Sequence, residues 1–340
     1  MIFNRLGRTG LKVSRIGLGM MSYGSNRFQS WVLPSAEGER FVKLALDRGV
    51  NFFDTSDFYS LGQSEACLGR AAAKLTARSN VVIATKVGMP VGPRPSDRGL
   101  SRKHIMTAID ASLRRLKTDY VDLYQLHNPD PETPIEETIE AMHDVVRAGK
   151  ARYIGASNYP AWELALANRT AQVRHKLRFA STQAEYNLTF REEERETIPM
   201  CAAEGIGVLV YSPLARGWLA GNRLRPRGLT KREKSRAQGD MKARTNYGSD
   251  HDRRIAGRLA EVAAKRDVPP ARMALAWLLA RPAVSSIICG VLEPSHLDEA
   301  VAATELTLSA REIALLEELY EPQKLKDIHA PITRSGERPA

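Results

Sequence analysis

Between residues 121 and 156 the chain runs Val121-Asp122-Leu123-Tyr124-Gln125-Leu126, then Thr133-Pro134-Ile135-Glu136, then Tyr153-Ile154-Gly155-Ala156. The outer two stretches are short, largely apolar and rich in β-branched or aromatic side chains, which predicts strands. The middle one reads as a helix start. Thr133 offers a hydroxyl to the free N–H groups of a first turn, Pro134 suits the first helical position, and Glu136 lies three residues beyond the cap. Strand, helix and strand in this order predict two parallel strands joined by a right-handed crossover.

The same unit recurs on both sides. Strands are predicted at 15–19, 51–54, 81–85, 121–126, 153–156, 181–184, 208–211 and 286–289, with amphipathic stretches between them. Ser309-Ala310-Arg311-Glu312 repeats the capping-box pattern before a last helix. Eight strand–helix units predict an α/β fold, a closed (β/α)8 TIM barrel. Ahead of the first unit, residues 2–6 and 11–15 flank Gly7-Arg8-Thr9-Gly10, a β-hairpin pattern suited to covering the bottom of the barrel. Predicted strands seven and eight are unusually far apart, with most of the excess at 215–250, which reads as a long loop. Residues 1–320 are thus expected to form one domain and 321–340 a solvated tail.

Composition narrows the class. The 340 residues are 43% hydrophobic and 26% charged, too apolar for an intrinsically disordered chain. Fifty Lys and Arg against 39 Asp and Glu give a net charge of +11, which favours anionic partners. A nucleic-acid motif is not visible, so that class is not expected. The most apolar run, 273–280, is bounded by Arg272 and Arg281 and falls far short of a membrane span. Met1-Ile2-Phe3-Asn4-Arg5 does not resemble a secretory signal, and Cys67, Cys201 and Cys289 are three widely spaced thiols, so a cytoplasmic protein with no membrane partner is expected.

In such a barrel the chemistry gathers at the C-terminal ends of the strands. Those positions carry Asp54, Lys86 and His127, with Tyr59 in the loop beyond Asp54. A buried Lys86 ammonium needs a counter-charge, which Asp54 can supply. A cation beside Tyr59 is expected to lower the phenol pKa and make it a better proton donor. His127 can hold a carbonyl oxygen towards that hydroxyl. No side chain here stores electrons, and His127 has no second histidine at a strand end, so a metal site is not expected.

Over nearly its whole length the sequence resembles the aldo-keto reductase family. Gly49-Val50-Asn51-Phe52-Phe53-Asp54-Thr55 with Tyr59-Ser60-Leu61-Gly62-Gln63-Ser64-Glu65 carries the first part of the likeness. Asp122-Leu123-Tyr124-Gln125-Leu126-His127 and Gly149-Lys150-Ala151-Arg152-Tyr153-Ile154-Gly155-Ala156-Ser157-Asn158 carry the rest. Within the family it looks most like bacterial members of the branch that includes potassium-channel β subunits. The resemblance implies hydride transfer between a nicotinamide dinucleotide and an aldehyde or ketone, with Tyr59 as general acid, Asp54 and Lys86 tuning it, and His127 orienting the carbonyl.

It also implies a cofactor site. Ser157, Asn158 and Gln183 would hold the carboxamide, Tyr211 would stack on the ring, and Asp54, Gly19 and Met20 would flank it. Ser212, Pro213, Leu214, Arg216 and Gly217 would form the pyrophosphate loop, and Gly290, Leu292, His296 and Glu299 the adenosine side. NADP(H) is the expected cofactor, with NAD(H) as the alternative, because Glu293 stands where NADP-using relatives carry a basic residue. Tyr23, Trp31, Met89, Asn128 and Trp218 are candidates for a pocket holding a small carbonyl substrate. Gly17-Leu18-Gly19 does not make a Rossmann fingerprint, because Ser22 replaces the third glycine and no helix pattern follows at once.

A second function class also fits the resemblance: a dinucleotide-binding regulatory subunit of a channel-like partner, with little turnover. His127 favours the enzyme, since that lineage commonly has asparagine there. Self-association is compatible with either. From Asn222 to Arg244 nine basic residues face only Glu233 and Asp240, a local net charge of +7. This segment is expected to close over the dinucleotide phosphates, with one or more of its arginines, Arg236 and Arg244 the pair to neutralise in a test, replacing the basic residue missing at Glu293.

Overall fold

Every residue of the strand Val82–Val87 is buried, as expected where helices cover one face of a parallel strand and the barrel interior covers the other. The computed structural model describes residues 1–221, 223–224 and 229–324. In it the strands Ile16–Gly19, Phe52–Asp54, Val82–Val87, Val121–Leu126, Ala151–Ser157, Ser181–Glu185, Gly207–Tyr211 and Val284–Cys289 pair in parallel in chain order. The eighth pairs with the first, Ile287 opposite Ile16, and closes the barrel. All eight predicted strands are present, the fifth and eighth each starting two residues early.

The hairpin is Phe3–Arg5 paired antiparallel with Lys12–Ser14. Its Leu6 and Val13 plug the barrel bottom, packing with Phe52, Val82, Ala84, Leu123, Leu209 and Ile288. Gly7 makes this closure possible: its φ is +57°, and a Cβ there would stand 2.5 Å from the backbone oxygen of Gly205. Helices between strands, among them Gln63–Leu75, Arg102–Leu116 and Ile135–Arg147, bury one face on the barrel. Two of them meet backbone to backbone, since a Cβ on Gly69 would lie 2.5 Å from the Leu116 carbonyl. Gly69→Ala is therefore expected to destabilise the protein by about 1–3 kcal/mol through overpacking, read as a lower urea midpoint with unchanged slope.

Two local expectations need correction. Pro134, not Thr133, is the N-cap of Ile135–Arg147 and makes no side-chain cap bond. The Thr133 hydroxyl instead donates to Asp130 at 2.7 Å, because that carboxylate already organises the loop by accepting from the Leu100 and Glu132 amides. The stretch after strand seven is not a structureless loop. It holds a short 3-10 helix, Ala215–Ala220, and the helices Lys231–Gly239 and Met241–Thr245 before the long helix Asp250–Lys265. Thr230 caps the first of these α-helices in a capping box with Glu233, and Ser309 caps the last helix, Ala310–Glu317, as its sequence predicts.

Residues 325–340 of the predicted tail lie outside the described residues. Among the described residues no helix is long and apolar enough to cross a membrane. The three cysteines are buried and unpaired, and burial pushes each thiol up to about 12, which leaves them as inert packing groups.

Candidate active site

The parallel register brings the ends of strands two, three and four to one level at the barrel mouth. Asp54 is opposite Ala84 on strand three, and Lys86 is opposite Gln125 on strand four. Lys86 is fully buried, and its Nζ donates to Asp54 Oδ1 at 2.6 Å, to the Thr55 carbonyl at 3.0 Å and to the Tyr59 hydroxyl at 3.3 Å. The other carboxylate oxygen of Asp54 accepts from Gln183 Nε2 at 2.8 Å and from Gln125 Nε2 at 3.2 Å. Both members of the ion pair thus keep hydrogen-bond partners after losing water, the condition for a buried pair to persist. Burial alone would lower the Lys86 pKa, but Asp54 and Tyr59 outweigh it and hold the ammonium charged.

Tyr59 opens a short turn, Tyr59–Gly62, in which Ser60 and Leu61 both adopt left-handed φ angles. This turn swings the phenol back over Lys86. Its pKa moves opposite to the direction expected from sequence: burial raises it, and Lys86 only partly offsets that rise. Counting the neighbouring cation without the lost water gives the wrong sign.

His127 follows strand four, its ring nearly perpendicular to that of Tyr59 with centroids 5.7 Å apart. Its Nδ1 lies 3.1 Å from the Ser56 hydroxyl. Burial first, then the charges of Lys86 and Lys242, depress its pKa well below the usual value, so the imidazole is neutral at neutral pH. Phe58, Met89 and Asn128 line the mouth beside these groups.

A cavity of about 510 Å³ runs from this mouth across the later strands. Gly19, Ser157, Asn158, Gln183, Tyr211, Ser212, Pro213, Leu214, Arg216, Gly217, Gly290, Leu292, His296 and Glu299 line it. Asn158 is the hub on this side. Held at a φ of +60°, it donates from Nδ2 to the His127 carbonyl at 2.9 Å and to Asn128 Oδ1 at 2.8 Å, and it accepts the Tyr211 hydroxyl at 2.8 Å. Ala215, Arg216 and Gly217 have successive positive φ angles, and the Ala215 and Gly217 amides donate to the Ser212 and Leu214 carbonyls at 3.0 and 2.8 Å.

Arginines converge at the same place. Arg216 Nη1 bonds Asp240 at 2.9 Å, Arg236 Nε lies 3.6 Å from the same carboxylate oxygen, and Arg223 Nη2 donates to the Arg216 carbonyl at 3.0 Å. All three arginines line the cavity. Arg236 is pushed down to about 10, by burial first and then by the Arg216 charge. Its buried Nε is within ion-pair distance of Asp240 and makes no hydrogen bond. Glu293 is not a free repulsive charge, since Arg232 pairs with it at 3.5 Å while also bonding Glu37.

Several predicted residues are elsewhere. Met20 is fully buried, and its carbonyl accepts the Ser64 hydroxyl. Arg244 is exposed on its short helix while Lys242, two residues earlier, reaches the cavity. Tyr23 is fully buried, stacked on Phe41 with its hydroxyl donating to the Val291 carbonyl. Trp31 is buried beneath the Arg236 guanidinium, 4.6 Å from its ring centre, so it supports the arginine without reaching the cavity. Trp218 packs on Gly248 with Arg253 over its ring. Gln183 lines the cavity with its amide nitrogen committed to Asp54, so it couples the expected cofactor side to the ion pair. The sequence reading missed Gln125 and Ser56, and reached Arg223 only as one of the basic residues of the 222–244 segment. A polar residue at an inward position of an apolar strand was the available signal for Gln125. Among the described residues no cluster of three or more His, Cys, Asp or Glu side chains could hold a metal ion.

The arrangement suits acid-assisted chemistry beside an anionic ligand, and comparison with known proteins supplies the family. Residues 15–321 match the model of the aldo/keto reductase family. The chain is 41% identical to a versiconal hemiacetal acetate reductase of Aspergillus parasiticus, with 96% of this chain and 98% of that protein covered. It is 38% identical to a putative aryl-alcohol dehydrogenase of Saccharomyces cerevisiae, covering 94% and 97%. To an aldo-keto reductase of Alternaria alternata it is 37% identical, covering 94% and 92%. The chain belongs to the aldo/keto reductase family.

Proposed function

We propose that this oxidoreductase reduces aldehydes and some ketones to alcohols with NADPH, and that Tyr59 is the general acid. The observation carrying the reading is the buried Asp54–Lys86–Tyr59 chain facing His127 across one cavity mouth. A bound dihydronicotinamide supplies the hydride. The chain's own residues do the rest. His127, neutral, holds the carbonyl oxygen. Tyr59 gives its proton to that oxygen as charge develops on it, and the Lys86 ammonium stabilises the phenolate left behind. Asp54 keeps Lys86 charged and in place. Phe58, Met89 and Met241 give the mouth apolar walls, which suit an aromatic or alkyl substrate, and the names of the fungal relatives point the same way.

The residues of the cavity fit a phosphorylated dinucleotide. Arg216, Arg223 and Arg236, which line the cavity, would meet its phosphates. Arg236 reaches the adenosine side, with Nη1 3.3 Å from the position of a Cβ on Gly290. NADPH preference over NADH follows if this arginine binds the extra phosphate, a role it can fill because Arg232 neutralises Glu293. Arg236→Ala is then expected to weaken NADPH binding about ten- to a hundredfold, the worth of a charge-assisted hydrogen bond, and NADH binding much less. Isothermal titration of both nucleotides checks this, and equal losses for the two would refute the assignment. Steady-state turnover separates the enzyme from a sensing subunit, because a sensor would bind the nucleotide and leave aldehydes unreduced.

A further inference from the structure

Ser56 and Asp57, between Asp54 and Tyr59, form a buried polar pair that the reaction above does not use. The Ser56 hydroxyl lies 3.1 Å from His127 Nδ1 and 3.2 Å from Asp57 Oδ1, and it accepts the Phe58 amide at 3.1 Å. Asp57 is 3% exposed, and its Oδ2 is buried without a hydrogen-bond partner. A charged carboxylate with one oxygen stripped of donors is costly, and a protonated one much less so. The groups around it act in both directions: burial first and then Glu65 favour the protonated acid, Arg115, the Ser56 hydroxyl and the Phe58 amide oppose them, and the Tyr124 phenol lies near.

The single Ser56 hydrogen has two possible destinations. If Asp57 were ionised, Ser56 would donate to it, His127 Nδ1–H would donate to Ser56, and Nε2 would be left as an acceptor. An acceptor cannot hold a carbonyl oxygen. If Asp57 is protonated, it donates to Ser56, Ser56 donates to Nδ1, and Nε2–H is free to face the substrate. We propose that a proton kept on Asp57 fixes the tautomer of His127 through the Ser56 hydroxyl, making Ser56 and Asp57 positioning residues. The catalytic consequence rests on the carbonyl-reductase reading; the tautomer does not.

The test is long-range ¹H–¹⁵N NMR of the full chain labelled with ¹⁵N-histidine at neutral pH, with His127 assigned by the signal lost in His127→Asn. Infrared difference spectroscopy of wild type against Asp57→Asn accompanies it. The expected result is His127 with Nε2 protonated and Nδ1 bare, and a protonated carboxyl band that Asp57→Asn removes. His127 protonated at Nδ1, or no carboxylic-acid band lost, overturns the proposal. If Asp57→Asn fails to fold, the wild-type tautomer alone decides. Ser56→Ala is expected to move His127 towards mixed tautomers and lower kcat about tenfold, at the low end of effects from acid–base positioning. A tautomer that moves with no change in rate would leave the relay standing and overturn the carbonyl-holding role of His127 instead.

Discussion

Tyr59→Phe is expected to lower kcat for aldehyde reduction by about 10²–10⁴-fold, the range for loss of a positioned general acid, while leaving nucleotide affinity and stability near wild type. The asymmetry follows from the geometry. Without the hydroxyl, Lys86 keeps its bonds to Asp54 and to the Thr55 carbonyl, so the buried pair survives and only the proton donor is lost. The pH dependence has a definite sign. Reduction needs the protonated phenol, and burial raises Tyr59 above its ordinary value of about 10. The wild-type rate should therefore hold through neutral and mildly alkaline pH and fall only above that value. Alcohol oxidation, which needs the phenolate, should rise over the same range. A reductive rate that falls through a pKa near 7 would show that a different acid is at work.

Lys86→Met is expected to cost both activity and stability. It strands Asp54, a carboxylate left with Gln125 and Gln183 as its remaining side-chain donors. Breaking a buried pair by removing one partner destabilises by about 3–5 kcal/mol. The rate should drop at least as far as in Tyr59→Phe, because the phenolate formed on proton transfer loses its cation. The double variant Asp54→Asn with Lys86→Met separates the two losses. Removing both charges should recover much of the denaturation midpoint and none of the turnover. Recovery of turnover in the double variant would show that the pair is purely structural.

The barrel and the positions of Asp54, Lys86 and His127 were legible from strand periodicity, whereas Tyr59, in the turn after strand two, was legible only from the motif that carries the family resemblance. Apolar strand interiors such as 81–85 end abruptly in a polar residue, and the fold places every such end on one rim. Side chains in the loops carry no such constraint. Tyr23, Trp31 and Trp218 lie near the rim in sequence yet point into packing, where Phe41, Arg236 and Gly248 meet them. Arg244 and Lys242 show the same limit on a short helix, where a step of two residues changes the face presented. The helix Lys231–Gly239 went unseen because its charged sequence has little apolar periodicity, although Thr230 and Glu233 spell its capping box. The direction of the Tyr59 shift was also hidden, since sequence reveals the neighbouring charge and not how much water the fold removes.

The central claim is that this site moves a hydride from NADPH to a carbonyl carbon and a proton from Tyr59 to its oxygen. Its most direct test mixes the purified protein with NADPH and an aromatic aldehyde at neutral pH, and measures NADPH consumed and alcohol formed. One alcohol per NADPH with wild type, and a rate reduced at least a hundredfold with Tyr59→Phe, is the result predicted here. Absence of alcohol with wild type, or an unchanged rate with Tyr59→Phe, would contradict it.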